Sequence, residues 1–215
     1  MACGPLFANP RYPYREGMDD ILTLPAGPLA DASLAVVRSS ASEPIADHSI
    51  RSFLFARLLA EHEGCLNDAA YDEQLLFAAT VMHDLGLGHH AQGQARFEVE
   101  GADLAAAVLR NHGVAEADVD RVWEAIALHA CVGIADRRGL LTYLTHKGVF
   151  VDIGKLGDGV ADRLRREVLN AYPQPADEGY IKDAIINHAS RSDAAAPTGS
   201  LAAQLLLQQR HIEPA

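Results

Sequence analysis

The sequence predicts an all-α fold, a single-domain bundle of roughly seven to nine helices. Apolar residues recur at helical spacing along most of the chain. No stretch of any length alternates apolar and polar residues, as a half-buried strand would. The composition is aliphatic, with 49% hydrophobic but only 6% aromatic residues. At 215 residues the chain can bury one good core. There is no internal repeat, and the connections are short, so successive helices should be neighbours. The expected organisation is an irregular segment over 1–25, the bundle over 26–190, and a mobile linker with a C-terminal helix over 191–215.

The elements follow in order. Pro5, Pro10, Pro13 and Pro25 interrupt the first stretch, in which Met18 is a candidate natural start. A short helical pattern runs from Pro28 to Arg38, and Ser42-Glu43-Pro44 reads as a loop. From His48 to His62, Ile50, Phe53, Leu54 and Leu58 recur at helical spacing, and Gly64 is the stop. The next helix, Asp72 to Leu85, is apolar nearly all round and should be central. Gly86 to Gly93 is a loop containing His89 and His90. Phe97 to Asn111 is helical, ended by Gly113. Glu116 to Cys131 puts Val119, Val122, Trp123 and Ile126 on one face. Helices follow over Leu140–Leu156, Ala161–Ala171, Tyr180–Ser190 and Leu201–Arg210. Ser192–Ser200, rich in Ala, Pro and Gly, reads as mobile.

The charge balance narrows the partners. Twenty-nine acidic against 18 basic residues give a formal charge of -11. Such a surface repels phosphate backbones, which argues against nucleic-acid binding. No apolar stretch is long enough to span a bilayer, and Met1–Asp20 lacks the pattern of a secretory signal. Cys3, Cys65 and Cys131 are odd in number and far apart, as reduced thiols are. The expected compartment is the cytoplasm. The expected partner is a small-molecule substrate, with a homo-oligomer through exposed helical faces compatible with the pattern.

The chemistry centres on His83-Asp84, which follows the apolar run Leu75–Met82 and is closed off by Gly86 and Gly88. Ionisable groups in such a setting need a partner or a cation. Alone, the dipeptide also fits a surface turn. Asp152 lies inside Val149-Phe150-Val151-Asp152-Ile153 and must likewise be neutralised; the alternative to a metal is a salt bridge to Lys147 or Lys155. His48 opens its predicted helix and alone reads as a first-turn surface residue. Together, two imidazoles and two carboxylates on three helical segments form a donor set suited to Zn(II), Fe(II), Mn(II) or Ni(II).

The order His48, His83-Asp84, Asp152 resembles the H…HD…D signature of the HD-domain metal-dependent hydrolases. Further matching segments run from His48-Ser49-Ile50-Arg51 through Arg96-Phe97-Glu98-Val99-Glu100-Gly101-Ala102-Asp103 and Glu124-Ala125-Ile126-Ala127-Leu128-His129 to Val151-Asp152-Ile153-Gly154. The chain is similar in particular to the cyanamide hydratase-like branch, over about Pro25 to His188. The resemblance implies a helical bundle and a metal held by His48, His83, Asp84 and Asp152. Two-metal members carry a further histidine where this chain has Phe97, and a phenyl ring cannot ligate. One divalent metal is therefore implied, zinc first among the candidates, with water activation in place of oxygen activation.

What the resemblance implies for the chemistry is hydration or hydrolysis of a small molecule by metal-activated water, in the manner of a hydro-lyase acting on a nitrile-type carbon. Asp84 would serve both metal and water. His129 falls on the apolar face of its helix, as a core histidine or as a pocket group that orients substrate or supplies a proton. Glu98 is a second acid/base or supporting candidate. Glu100, Lys155 and His112 read as solvent-facing, and His89 and His90 as exposed or part of a lid. Arg51, one turn beyond His48, is either a carboxylate or substrate contact or an ordinary charged helix residue. Alternative functions are a phosphohydrolase acting on a nucleotide or phosphomonoester, for which Arg51 is the strongest cationic candidate, and a non-catalytic metal-containing binding protein.

Overall fold

The structure is a computed structural model that describes residues 21–156, 160–177 and 179–212, with side chains described to residue 209. Met18, Cys3 and the irregular segment to residue 20 lie outside the described residues. Nine α-helices are described: α1 (Pro28–Ser40), α2 (Glu43–His62), α3 (Glu73–Met82), α4 (Phe97–Asn111), α5 (Glu116–Leu128), α6 (Leu140–Asp152), α7 (Asp162–Ala171), α8 (Tyr180–Ala189) and α9 (Leu201–Ile212). No strand occurs among the described residues. None of the described helices is long and apolar enough to cross a membrane.

Helix α2 begins at Glu43, earlier than its apolar periodicity indicates. Ser42 stands at the N-cap and Pro44 in the first turn, where a missing N–H costs nothing. The consequence is functional: His48 lies in the second turn and is buried, not on a first-turn surface. Helix α3, buried from Leu75 to Met82, is the apolar centre. It stops at Met82, so His83 is its C-cap and Asp84 leads into the tight turn Leu85–Leu87. Helices α5 and α6 are likewise shorter than their patterns, ending at Leu128 and Asp152. Three chemically important side chains thus stand at helix C-terminal ends.

Two close backbone approaches position these ends. A Cβ on Gly148 would overlap the carbonyl oxygen of Ser52, so α6 can lie against α2 only because residue 148 has no side chain. One turn along this contact, Asp152 meets His48. A Cβ on Gly86 would overlap the carbonyl oxygen of Phe97, which seats the His83-Asp84 turn on α4.

Two surface assignments change. Trp123 is part-exposed and donates from Nε1 to Asp103 Oδ1 at 2.8 Å, while Val119, Val122, Ala125 and Ile126 form the buried face of α5. Glu100 is not solvated. Its carboxylate accepts from the backbone N–H groups of Gln92, Gly93, Gln94 and Ala95, so one buried side chain fixes the whole loop. The C-terminal region grips the same loop: Arg191 donates to Ala91 O, His188 Nε2 to Ala95 O, and Ser192 Oγ to Gly93 O. Ala195 and Ser200, within the segment whose composition reads as mobile, are buried. Phe97, Ile185, Ala189 and Ala202 join α8 and α9 to α4 in a small second core.

Two predictions follow from these contacts. Gly148→Ala should lower stability by about 1–3 kcal/mol, because a rigid backbone carbonyl cannot yield; a denaturant melt would show a lower midpoint, and an unchanged midpoint would mean that α2 and α6 can part. Burial raises the Glu100 pKa, but its four backbone donors outweigh this and hold it below the ordinary 4.5. Its contribution is therefore whole above about pH 4.5 and lost as pH falls towards the folded-state value. The melting temperature of Glu100→Gln should lie below that of the unsubstituted protein at neutral pH, and the gap should close in acid.

Candidate metal centre

Asp84 is 3% exposed, and three imidazoles face it. Its Oδ2 lies 3.2 Å from His83 Nε2 and 3.8 Å from His48 Nε2, and its Oδ1 lies 3.8 Å from His129 Nε2. The rings pack edge to face, with centroids 5.1 Å apart for His48–His83 and 4.7 Å for His83–His129. Each ring is turned by its other nitrogen. His83 Nδ1 donates to Thr80 O at 2.7 Å, and His129 Nδ1 donates to Ile126 O at 2.7 Å. Both carbonyls belong to the last turn of the helix that each histidine ends. His48 Nδ1 donates to Asp152 Oδ2 at 2.6 Å. These bonds select the tautomer that leaves all three Nε2 atoms as bare lone pairs directed inward.

Electrostatics follows from this packing. Burial opposes protonation of His83, yet the adjacent Asp84 carboxylate raises its pKa above the ordinary histidine value. Burial also works against the charge on Asp84, but His83, His48 and His129 hold it well below the usual carboxylate range. His129 goes the other way. Burial, reinforced by His83, lowers it to about 4. It is neutral at neutral pH, and its only N–H is committed to Ile126. With Nδ1–H on Ile126 O, the free ring nitrogen of the neutral His129 is an acceptor.

His83 Nε2 and Asp84 Oδ2 are buried and lack a directed hydrogen bond. Orphaned polar atoms this close together in a core need a further partner. His48, His83 and Asp84 offer ligand atoms all within 4.8 Å of one another, and a divalent cation fits that donor set. His129 lies across Asp84 from this group, with the buried Phe97 ring 5.7 Å from its own.

Asp152, expected as the fourth ligand, stands behind His48. Oδ1 accepts from Arg51 Nε at 2.7 Å, and Oδ2 accepts from His48 Nδ1 and from Arg51 NH2 at 3.0 Å. Its salt-bridge partner is Arg51, not Lys147 or Lys155. Burial raises the Asp152 pKa, but the bonds from His48 and Arg51 bring it below the ordinary value. Arg51 is fully buried; NH1 donates to Tyr172 O and Pro173 O, and NH2 also reaches Tyr180 Oη at 3.1 Å. Nothing of its guanidinium is left for a substrate. Glu98 is buried and bound by Arg96 NH2 at 2.7 Å, so it stands beside the site as half of an ion pair. His89, His90 and His112 are exposed.

Residues 45–167 match the HD domain family, and the match contains every residue of the cluster. The chain belongs to the HD-domain family. HD domains are in general metal-dependent hydrolases, which agrees with a His/His/Asp cluster able to hold a divalent cation. Among curated proteins no match is found.

Two residues missed in the sequence support this HD-domain site. His146 of α6 is buried and donates from Nδ1 to His129 O at 2.6 Å, steadying the end of α5. Its only sequence signal is a histidine among apolar residues. Tyr180 touches Arg51, and no local pattern announces it.

Asp152→Asn separates the two roles of this carboxylate. As a support for His48 it should weaken metal affinity about 10–100-fold while leaving a site that fills at high metal concentration. Metal titration with a chromophoric competitor measures this. A protein that binds no metal at any concentration would restore Asp152 to the ligand set.

Proposed function

We propose that this HD-domain protein is a single-cation hydratase or hydrolase of the cyanamide hydratase-like branch, adding water to a nitrile-type carbon of a small molecule. The observation that carries the reading is the wall beside the donor set: Phe97, buried against His129, offers an apolar ring where a second cation would need a ligand. One divalent ion, zinc first with Fe(II), Mn(II) and Ni(II) as alternatives, matches the donor types. When bound, such a cation lowers the pKa of a coordinated water towards neutrality and makes it nucleophilic.

The chain's own groups orient the reaction. His129 Nε2 accepts a hydrogen bond from the attacking water and turns its lone pair to the substrate carbon. The His48–Asp152 bond and the His83–Thr80 bond keep both rings in the ligating tautomer. As the C–O bond forms, an electron pair of the C≡N group moves to nitrogen and takes one proton of the water, giving the imidic acid; transfer of the remaining hydroxyl proton to the same nitrogen then gives the amide. Phe97 keeps the space beside the site free of competing polar groups. A phosphoryl substrate would need cationic donors, and the strongest candidate, Arg51, has its donors committed within the protein. A small-molecule substrate and a cytoplasmic location complete the proposal.

The deciding experiment is a screen of metal-loaded protein on cyanamide and simple nitriles, with isocyanides and amides, against phosphomonoesters and nucleotides. Turnover of a nitrile-type compound with no release of phosphate is the expected result. Phosphate release alone would reverse the reading. Metal-loaded protein inert towards all of these would favour a binding role.

A further inference from the structure

We infer that His146 is a positioning residue of this site: it holds the peptide of His129 so that the free nitrogen of that ring faces Asp84. The inference rests on the water-addition reading, in which His129 Nε2 accepts a hydrogen bond from the attacking water, and deepens it.

The need arises at the end of α5, where His129 is the C-cap. Nothing at the tip of the ring fixes its direction, because Nε2 lies 3.8 Å from Asp84 Oδ1, beyond hydrogen-bond distance. The ring must therefore be steered from its own backbone. Its Nδ1–H is tied to Ile126 O at 2.7 Å, which sets it against the last turn of the helix. The peptide that carries the ring, however, leaves the helix at this point. The N–H groups that follow turn elsewhere: Cys131 donates to Leu128 O, Val132 to Ala130 O, and Gly133 to Asp136 Oδ2. A buried carbonyl in this position needs a donor. His146 Nδ1 supplies it at 2.6 Å, the one hydrogen bond to His129 O among the described residues.

The imidazole of His146 is itself held. It is buried, and the ring of Phe150, one turn further along α6, packs on it with centroids 4.3 Å apart. Asp136 Oδ1 lies 3.5 Å from Nε2 and is buried without a directed hydrogen bond. Lys147 Nζ stands 3.5 Å from the same oxygen. Through Gly133 N–H, Asp136 also joins His146 to the turn that follows His129. These contacts lie outside the cation donor set of His48, His83 and Asp84. The bond from His146 therefore acts on the reaction through His129 and leaves the cation ligands alone.

The test compares His146→Asn with His146→Gln in the full chain. The Asn amide stands near the Nδ1 position and keeps a donor for His129 O. The longer Gln amide reaches the Nε2 position beside Asp136 and leaves that carbonyl unmet. In isotope-labelled protein, proton–nitrogen NMR follows the His129 Nδ1–H. This proton should exchange with solvent about 10-fold faster in His146→Gln than in the parent, as loss of one buried hydrogen bond implies, and at the parent rate in His146→Asn. Co(II) affinity should be unchanged in both. On the nitrile found in the screen, kcat should fall about 10-fold in His146→Gln with little change in KM, and His146→Asn should keep the parent value. Equal exchange in the two variants overturns the inference, as does the parent rate in His146→Gln. An unchanged kcat in His146→Gln also overturns it. So does loss of cobalt affinity in that variant, because a general prop of the bundle would disturb the cation ligands as well. If no nitrile is turned over, the water-addition reading fails on its own, and the exchange comparison still decides whether His146 holds His129.

Discussion

The buried carboxylate of Asp84 is the constraint around which the rest of the site is arranged. An ionised group taken out of water costs several kcal/mol unless it is compensated. Here a divalent cation shared by Asp84 and the imidazoles that face it would supply the compensation. The imidazoles are in turn held by groups the bundle produces at no extra expense. Helices α3 and α5 both end on a histidine whose Nδ1–H reaches back to a carbonyl of the last turn. The same bonds leave Nε2 bare and aimed at Asp84. Helix ends also carry partial negative charge, which favours a cation nearby.

The third imidazole is set differently, and that difference organises the other half of the molecule. His48 lies within α2, where no carbonyl is free, so its Nδ1–H needs a side-chain partner. Asp152 supplies it, and Gly148 lets α6 come near enough for the contact. Asp152 then carries a buried charge of its own, which Arg51 neutralises through two donors. The remaining donors of Arg51 reach across to Tyr172, Pro173 and Tyr180. One requirement, a fixed tautomer at His48, thus propagates from α2 through α6 to the chain between α7 and α8.

The division of labour in the site differs from what residue types alone imply. Histidine beside a carboxylate invites the role of proton donor, and His129 has that neighbour. Complete burial and the nearby His83 outweigh it, so the ring is neutral and its free nitrogen accepts. Glu98, by type an acid or base, is held by Arg96 NH2 at 2.7 Å. Phe97, buried against His129, keeps the neighbouring wall apolar.

The all-α class, the central place of α3, the bounds of α4 and the convergence of His48, His83 and Asp84 were legible in the sequence. Apolar periodicity and an odd pair of ionisable residues after an apolar run are local signals, set by residues within a few turns of each other. Such signals also mark Asp152 as buried and in need of a partner. They could not name that partner, because Arg51 is 101 residues away in the chain. The burial of Glu100 was hidden for a related reason: its carboxylate is satisfied by backbone N–H groups, which every sequence offers alike. Tyr180 carried no pattern at all. By itself the sequence determined which segments are helical and which side chains must find a buried counter-charge. Only the tertiary structure decided which atoms meet, because close approach of helix ends depends on backbone contacts, such as Gly148 against Ser52, between distant segments.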